Sequence, residues 1–223
     1  MNAEQSPTRM LELAPLQPLA IGNLRAIYQH PHHSDLLVKV LRPEAIARRW
    51  GAHNAFKRRS RTRQYGSFVR ELKEYIALRA QIADVHPPVA RIVGVVETDM
   101  GLGLLSEKIG GADGHMAPSL RAICFAGGGM PEWLDDALNK LLEEVLRFNM
   151  ILGDLHSGNI VHGSDSRGGP RLLFIDGFGE KNLVPLSSMS RTRNRWNTQR
   201  LFRRLRKELS RPLAEWGPAV RPD

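Results

Sequence analysis

Two rhythms of apolar and polar positions run along the chain. "LLVKVL" at 36–41 is a run of β-forming residues broken only by Lys39, and predicts a strand with a lysine at its middle. "FVRELKEYIALRAQI" at 68–82 places Phe68, Leu72, Tyr75 and Ile76 at helical spacing, which predicts a helix. At ~100° per residue Glu71 falls on the border of that face, whereas Glu74 points nearly opposite it. The apolar runs of "HPPVARIVGVVETDMGLGLLSEKI" flank Thr98-Asp99-Met100-Gly101 and predict a β-hairpin. Gly110, Gly111 and Gly114 then mark a boundary between two lobes. Pro131 opens a second helix, with Leu134, Leu138, Leu141, Leu142, Val145 and Leu146 along one face. Beyond it the strand-like "NIVHG" and "RLLFID" are joined by the turn-rich "SDSRGGP".

Composition narrows the picture. At 223 residues, 42% hydrophobic and 25% charged, the chain suits one sizeable domain or two small lobes. A single cysteine, Cys124, excludes an internal disulfide or a cysteine-based zinc site and reads as a buried small side chain. No basic stretch followed by an apolar core opens the sequence, and no run approaches eighteen apolar residues. The expected location is therefore cytoplasmic, with the inner face of the membrane open as a peripheral site. The net charge of +9 is concentrated: 42–63 and 191–211 hold seventeen of the 32 lysines and arginines. Such clustering suggests a polyanionic partner or two solvated faces.

"GDLHSGNIV" at 153–161 and "FIDGFGE" at 174–180 carry the candidate chemistry. Asp154, Asn159 and Asp176 each adjoin a β-forming run, and burying an acid there needs compensation such as a metal and a phosphate. The D-x-x-x-x-N spacing resembles the catalytic loop of small-molecule kinases. The whole order of elements resembles a protein-kinase-like fold, expected as α+β and bilobal. It implies a small β-rich first lobe and a reduced, mainly helical second one. Through "RELKEYIAL", "GVVETDMGLGLL", "GNIVHG" and "NLVPLSSMSR" the chain more closely resembles the YrbL family of PhoP-regulatory-network proteins, over roughly 17–210. The corresponding domains are a flexible 1–16, an N-lobe over 17–110 with a basic insertion at 42–66, a C-lobe over 111–210 and a flexible tail at 211–223.

The resemblance implies roles for particular residues, with ATP and Mg²⁺ as cofactors. Asp154 would orient the acceptor hydroxyl. Asn159 and Asp176 would bind the metal, and Lys39, positioned by Glu71 rather than Glu74, would reach the α- and β-phosphates. Glu107, Lys108 and Ile109 would be the linker whose backbone meets the adenine. Gly22 would mark the phosphate loop near "IGNLRAIYQH". Each residue also has a plainer reading. Lys39 could be a snorkelling lysine, Glu71 a surface helix residue, and Asp154, Asn159 and Asp176 turn formers. Their joint order points to nucleotide and metal. For His156 a hydrogen-bonding or packing role is expected.

Departures from the pattern qualify catalysis. G-x-G-x-x-G is absent, an extra glycine sits in "IDGFG", Leu152 stands where many such loops have His, and no A-P-E-like anchor is present. Only 47 residues follow Asp176, which favours a small or lipid-linked hydroxyl acceptor over a protein. The alternatives are a pseudokinase sensing nucleotide and a basic adaptor on an anionic surface. "TQRLFRRLRKELS" at 198–210 sets Leu201, Phe202, Leu205 and Leu209 against Arg200, Arg203, Arg204 and Lys207. That basic amphipathic helix is either docked on the second lobe or faces an anionic membrane or glycolipid. Nucleic acid is the least expected partner, because Trp196 and Phe202 are too few for base stacking.

Overall fold

Strand β3, Leu36–Leu41, is buried along its whole length, Lys39 included. Its unbroken apolar run suits a central strand, and the computed structural model gives it neighbours on both edges. The structure describes residues 10–50, 63–81, 86–180 and 190–211. Strands β1 (Ala20–Ile21), β2 (Arg25–Gln29), β3, β4 (Ile92–Thr98) and β5 (Gly101–Glu107) form an antiparallel sheet of order β1-β2-β3-β5-β4. Helix α1, Pro43–Trp50, follows β3, and a 3₁₀ turn spans Arg63–Tyr65.

One face of the sheet packs Ala26, Tyr28, Leu36, Val38, Val40 and Leu105 against Leu13. The strand alternation puts Lys39 on the other face, opposite Ile27 and Leu104. The predicted turn at 98–101 closes the β4–β5 hairpin, with Gly101 at φ +98°. Asp99 there accepts the N–H groups of Leu13 and Ala14, each at 2.9 Å, which anchors the preceding segment and lowers the Asp99 pKa.

The second group of elements begins with α2 (Gly66–Gln81), followed by α3 (Leu120–Ala126) and α4 (Trp133–Arg147). A 3₁₀ turn at Ser157–Asn159, the hairpin β6 (Ile160–Asp165)–β7 (Gly168–Phe174) and α5 (Arg191–Leu209) complete it. Leu134, Leu138, Leu141 and Val145 form the buried stripe of α4, as the spacing predicts. Ser119 and Ser190 cap α3 and α5 through their side-chain oxygens. The architecture is α+β, with the antiparallel sheet ahead of the helical part.

The chain divides into two compact units. One takes in the described parts of Met1–Gly66 with Arg91–Lys108, the other Ser67–Ala90 with the described parts of Ile109–Ala219. The chain passes from the first unit to the second after Lys108, and α2 from Ser67 onward groups with the second. Most of the basic insertion at 42–66, residues 51–62, lies outside the described residues, as do the tails 1–9 and 212–223.

Candidate functional site

Within the second unit the site is built where α4 stops. Asn149, at φ +49°, takes the left-handed conformation that asparagine tolerates, and the Met150 N–H closes back on the Val145 carbonyl at 3.0 Å. The chain then passes through two backbone clamps. Ile151 N–H donates to Glu74 Oε1 at 2.8 Å, and the Ile151 carbonyl accepts from Gly179 N–H at 2.8 Å. The N–H groups of Gly153 and Asp154 both donate to the Gly177 carbonyl, at 2.9 and 2.7 Å.

Asp154 is exposed, and its carbonyl accepts from Asn159 Nδ2 at 2.9 Å. That bond commits the amide nitrogen of Asn159 to the protein and turns its Oδ1 into the group available to a cation. The Asn159 carbonyl accepts from Ile175 N–H at 3.0 Å, directly before Asp176. Asp176 is half-buried and accepts from Gly177 N–H at 2.5 Å. The structure thus brings Asp154, Asn159 and Asp176 into one hydrogen-bonded knot. His156 caps the 3₁₀ turn, its Nδ1 accepting from Gly158 N–H at 3.1 Å, which is the hydrogen-bonding role expected of it.

The glycine that departs from the kinase pattern has a steric reason. Gly177 sits at φ +82°, and an added Cβ would overlap the Asp154 carbonyl oxygen and come within 2.5 Å of Asn159 Nδ2. Only a residue without a side chain lets the two loops approach so closely.

Helix α2 departs from its predicted face. Its buried residues are Phe68, Glu71, Glu74 and Leu78, whereas Ile76 is 58% exposed. Glu74, expected to point away from the protein, is therefore an inward carboxylate. Burial, and then the Glu180 charge, push Glu74 up to about 7, against the pull of the Ile151 hydrogen bond and of Lys73. Glu71, expected on the border of the apolar face, is 3% exposed. It lies in the second unit and Lys39 in the first.

In the first unit Glu107 is buried, with Arg91 Nε 3.6 Å from its carboxylate. The linker backbone is partly committed. Glu107 N–H bonds the Arg91 carbonyl and Lys108 N–H the Asp35 carbonyl, while the Ile109 carbonyl accepts from Ala117 N–H. The Ile109 side chain packs with Ala90, Ala117, Val161 and Leu173. Gly22 sits in the tight β1–β2 turn, where its N–H is spent on the Arg25 carbonyl at 2.8 Å and its carbonyl accepts from Arg42 at 2.9 Å.

A family model described as PhoP regulatory network protein YrbL matches residues 11–210. The chain belongs to this family. Among solved structures, the kinase domain of Mycobacterium tuberculosis PknI, as a double mutant, is similar at 18% identity and a TM-score of 0.42. The match covers 73% of this chain and 56% of that one, so the chain spans little more than half of that domain. No curated protein matches the chain.

Several supports of this YrbL-family site are not apparent in the sequence pattern. Ser157 is fully buried and donates to Glu208 Oε1 at 2.5 Å, which ties the loop to the end of α5. Asn194, also buried, donates through Nδ2 to the Asn149 and Met150 carbonyls, each at 3.1 Å. Helix α5 buries Phe202, Leu205 and Leu209, the docked one of the two alternatives for its apolar face, with Leu201 only partly covered. Arg206 bonds Asp135 at 2.8 Å and Asn139 at 2.7 Å. Among the described residues, no helix is long and apolar enough to cross a membrane.

Proposed function

We propose that this chain is an ATP- and Mg²⁺-dependent phosphotransferase acting on a non-protein hydroxyl, such as a small molecule or a glycolipid. The observation that carries the reading is the hydrogen-bonded knot of Asp154, Asn159 and Asp176. Among the described residues, no group of three or more His, Cys, Asp or Glu could hold a metal by itself. One carboxylate and one amide oxygen nevertheless suit Mg²⁺, which takes few protein ligands when it arrives with a nucleotide's phosphates. Bound there, the ion would offset the phosphate charge.

Asp154, exposed beside that pair, would accept or orient the acceptor's proton. Lys39, a cation inside a buried strand, would meet the phosphates, with Glu71 as its positioning carboxylate. The linker would offer adenine the Lys108 carbonyl and the Ile109 N–H, which no hydrogen bond among the described residues engages. A pseudokinase is the second reading, and the β1–β2 turn favours it. With its N–H committed within the turn, Gly22 would shape the approach to the phosphates rather than donate to them. The exposed Arg203 and Arg204 keep an anionic membrane surface as a further proposed partner. Nucleic acid ranks below it, since Phe202 is buried and Trp196 alone of the α5 aromatics is exposed.

The test combines thermal unfolding with ATP hydrolysis. Mg·ATP should raise the parent's midpoint by linkage, and Asp176→Asn should abolish the rise. Asp154→Asn should keep the rise but lose turnover by roughly 10²–10⁴-fold. An undiminished rise in Asp176→Asn, with correct folding, overturns the metal assignment. Equal hydrolysis by Asp154→Asn and the parent overturns the mechanism.

A further inference from the structure

We infer that Glu208, near the end of α5, is a positioning residue for the loop that carries Asp154, holding that loop through Ser157 in the orientation that meets the acceptor. Its effect on turnover rests on the phosphotransferase reading, whereas its hold on the loop does not. Ser157 is fully buried, and its Oγ–H donates to Glu208 Oε1 at 2.5 Å. The Ser157 N–H also donates to the same oxygen, at 3.4 Å. An O–H···O⁻ bond as short as the first is charge-assisted, and such bonds are roughly twice as strong as neutral ones.

The placement of Glu208 is otherwise unfavourable. The other charged residues of α5 are all basic, and Glu208 stands in the last turn, where the helix dipole disfavours a carboxylate. Among the described residues no lysine, arginine or histidine forms an ion pair with it. A carboxylate in that place does little for the helix itself, and its side-chain hydrogen bonds go to the loop. Cys124, buried in α3, registers the charge from inside the protein: burial first, and then Glu208, push the thiol up. The 3₁₀ turn that starts at Ser157 packs against both α3 and α5.

Docking of α5 does not explain the bond. Phe202, Leu205 and Leu209 bury the apolar face of the helix, and Arg206 holds Asp135 and Asn139 on α4. Near the start of α5, Asn194 holds the Asn149 and Met150 carbonyls. With these contacts in place the helix stays docked without Glu208, so what the Glu208 bond adds falls on the loop. The chain is thus tied to α5 on both sides of Asp154, at 149–150 by Asn194 and at 157 by Glu208. Asp154 is exposed between those two anchors, and a shift of the backbone at 157 swings its carboxylate. Anchoring on both sides keeps a reacting group in a productive geometry before the acceptor arrives.

The experiment compares Glu208→Ala, Glu208→Gln and Ser157→Ala with the parent, all as full chains, by amide hydrogen exchange and by ATP hydrolysis. In Glu208→Ala the amides of 153–158 should exchange at least about tenfold faster, while those of α4, β6 and β7 keep the parent's rates. Its kcat should fall about tenfold or more, with KM for Mg·ATP within about twofold. The metal pair is spared because Asn159 stays bonded to Ile175 and Asp176 lies on the other loop. Glutamine keeps an oxygen for the Ser157 hydroxyl, so Glu208→Gln should stay within about threefold of the parent in both readouts. Ser157→Ala should match Glu208→Ala, and the double variant should be no worse than either. Unchanged exchange at 153–158 in Glu208→Ala overturns the inference. Faster exchange spread equally over α4 and the hairpin overturns it as well, because Glu208 is then a merely structural residue. So does a Glu208→Gln variant as impaired as Glu208→Ala, since the charge and not the bond would then matter. Loosened exchange at 153–158 with an undiminished kcat removes Glu208 from positioning. Loosened exchange in Glu208→Ala beside a parent that hydrolyses no ATP upholds the hold on the loop and counts against the phosphotransferase reading alone.

Discussion

The loop pair at 151–159 and 175–179 and the turn at 21–25 stand in contrast, although the family resemblance assigns both to the phosphates and their metal. In the loop pair, backbone groups of one loop are satisfied by the other, and side chains fix what remains: Asn159 on the Asp154 carbonyl, Glu74 on Ile151 N–H, Ser157 on Glu208. In the turn, Gly22 bonds Arg25 within the same hairpin, and the arginines of the following segment bond outward-facing carbonyls, Arg42 on Gly22 and Arg48 on Asn23. A site fixed by groups far apart in sequence holds its geometry before a ligand arrives. A turn closed on itself has less to offer a phosphate. The difference locates the strongest part of the candidate site in the second unit.

Gly177→Ala should break this contrast with the largest effect. Its φ of +82° strains any residue with a Cβ, and the added atom would overlap the Asp154 carbonyl oxygen. Strain and overpacking together should cost about 3–5 kcal/mol, and the Mg·ATP-induced rise in midpoint should vanish in whatever fraction still folds. Urea unfolding measures the first and thermal unfolding the second. Stability within 1 kcal/mol of the parent would mean that the loops part easily, and the pre-formed knot would lose its force.

The sequence made some of this region legible and hid the rest for physical reasons. Strand β3, the turn at 98–101 and the α4 stripe follow from local periodicity and turn chemistry, so they are readable in short windows. The order Asp154, Asn159, Asp176 is readable because the D-x-x-x-x-N spacing and the later Asp stand in two short stretches of sequence. Glu74 was not, since helical patterning sends carboxylates outward and its compensating donor, Ile151, lies 77 positions away. Gly177 looked like a departure from pattern because the backbone it lets approach becomes visible only on folding. Asn194 and Ser157 carry no local signal for the same reason, as their partners lie 45 and 51 positions off.

Glu74→Gln sharpens the contrast with a smaller effect that depends on pH. A carboxyl group held at about 7 when folded, against its ordinary 4.5, binds its proton more tightly in the folded state. The stability it contributes is complete below about pH 4.5 and is lost as pH rises through 7. Over that window the loss should be roughly 3 kcal/mol. Glutamine keeps an Oε1 for Ile151 N–H but cannot ionise. The variant's stability relative to the parent should therefore rise from pH 5 to about pH 7 and level off by pH 8. Parallel curves for the two proteins would show that Glu74 titrates as it does in water, and that the clamp on Ile151 is not a buried carboxylate.

Gly22→Ala should have the smallest effect, and it probes the other side of the contrast. Gly22 lacks the positive φ of Gly177, and a Cβ there would meet the Arg25 carbonyl oxygen at 3.5 Å, an ordinary contact. The turn's closing bond runs from the backbone N–H at position 22, which alanine retains. Stability should stay within about 0.5 kcal/mol of the parent. Mg·ATP affinity should change by no more than about twofold, because the N–H of position 22 is committed to Arg25 in parent and variant alike. A tenfold loss of affinity with unchanged stability would mean that the turn opens on binding and gives this N–H to a phosphate. Gly22 would then stand beside Lys39 as a proposed phosphate contact, and the asymmetry between the two regions would belong to the unliganded state alone.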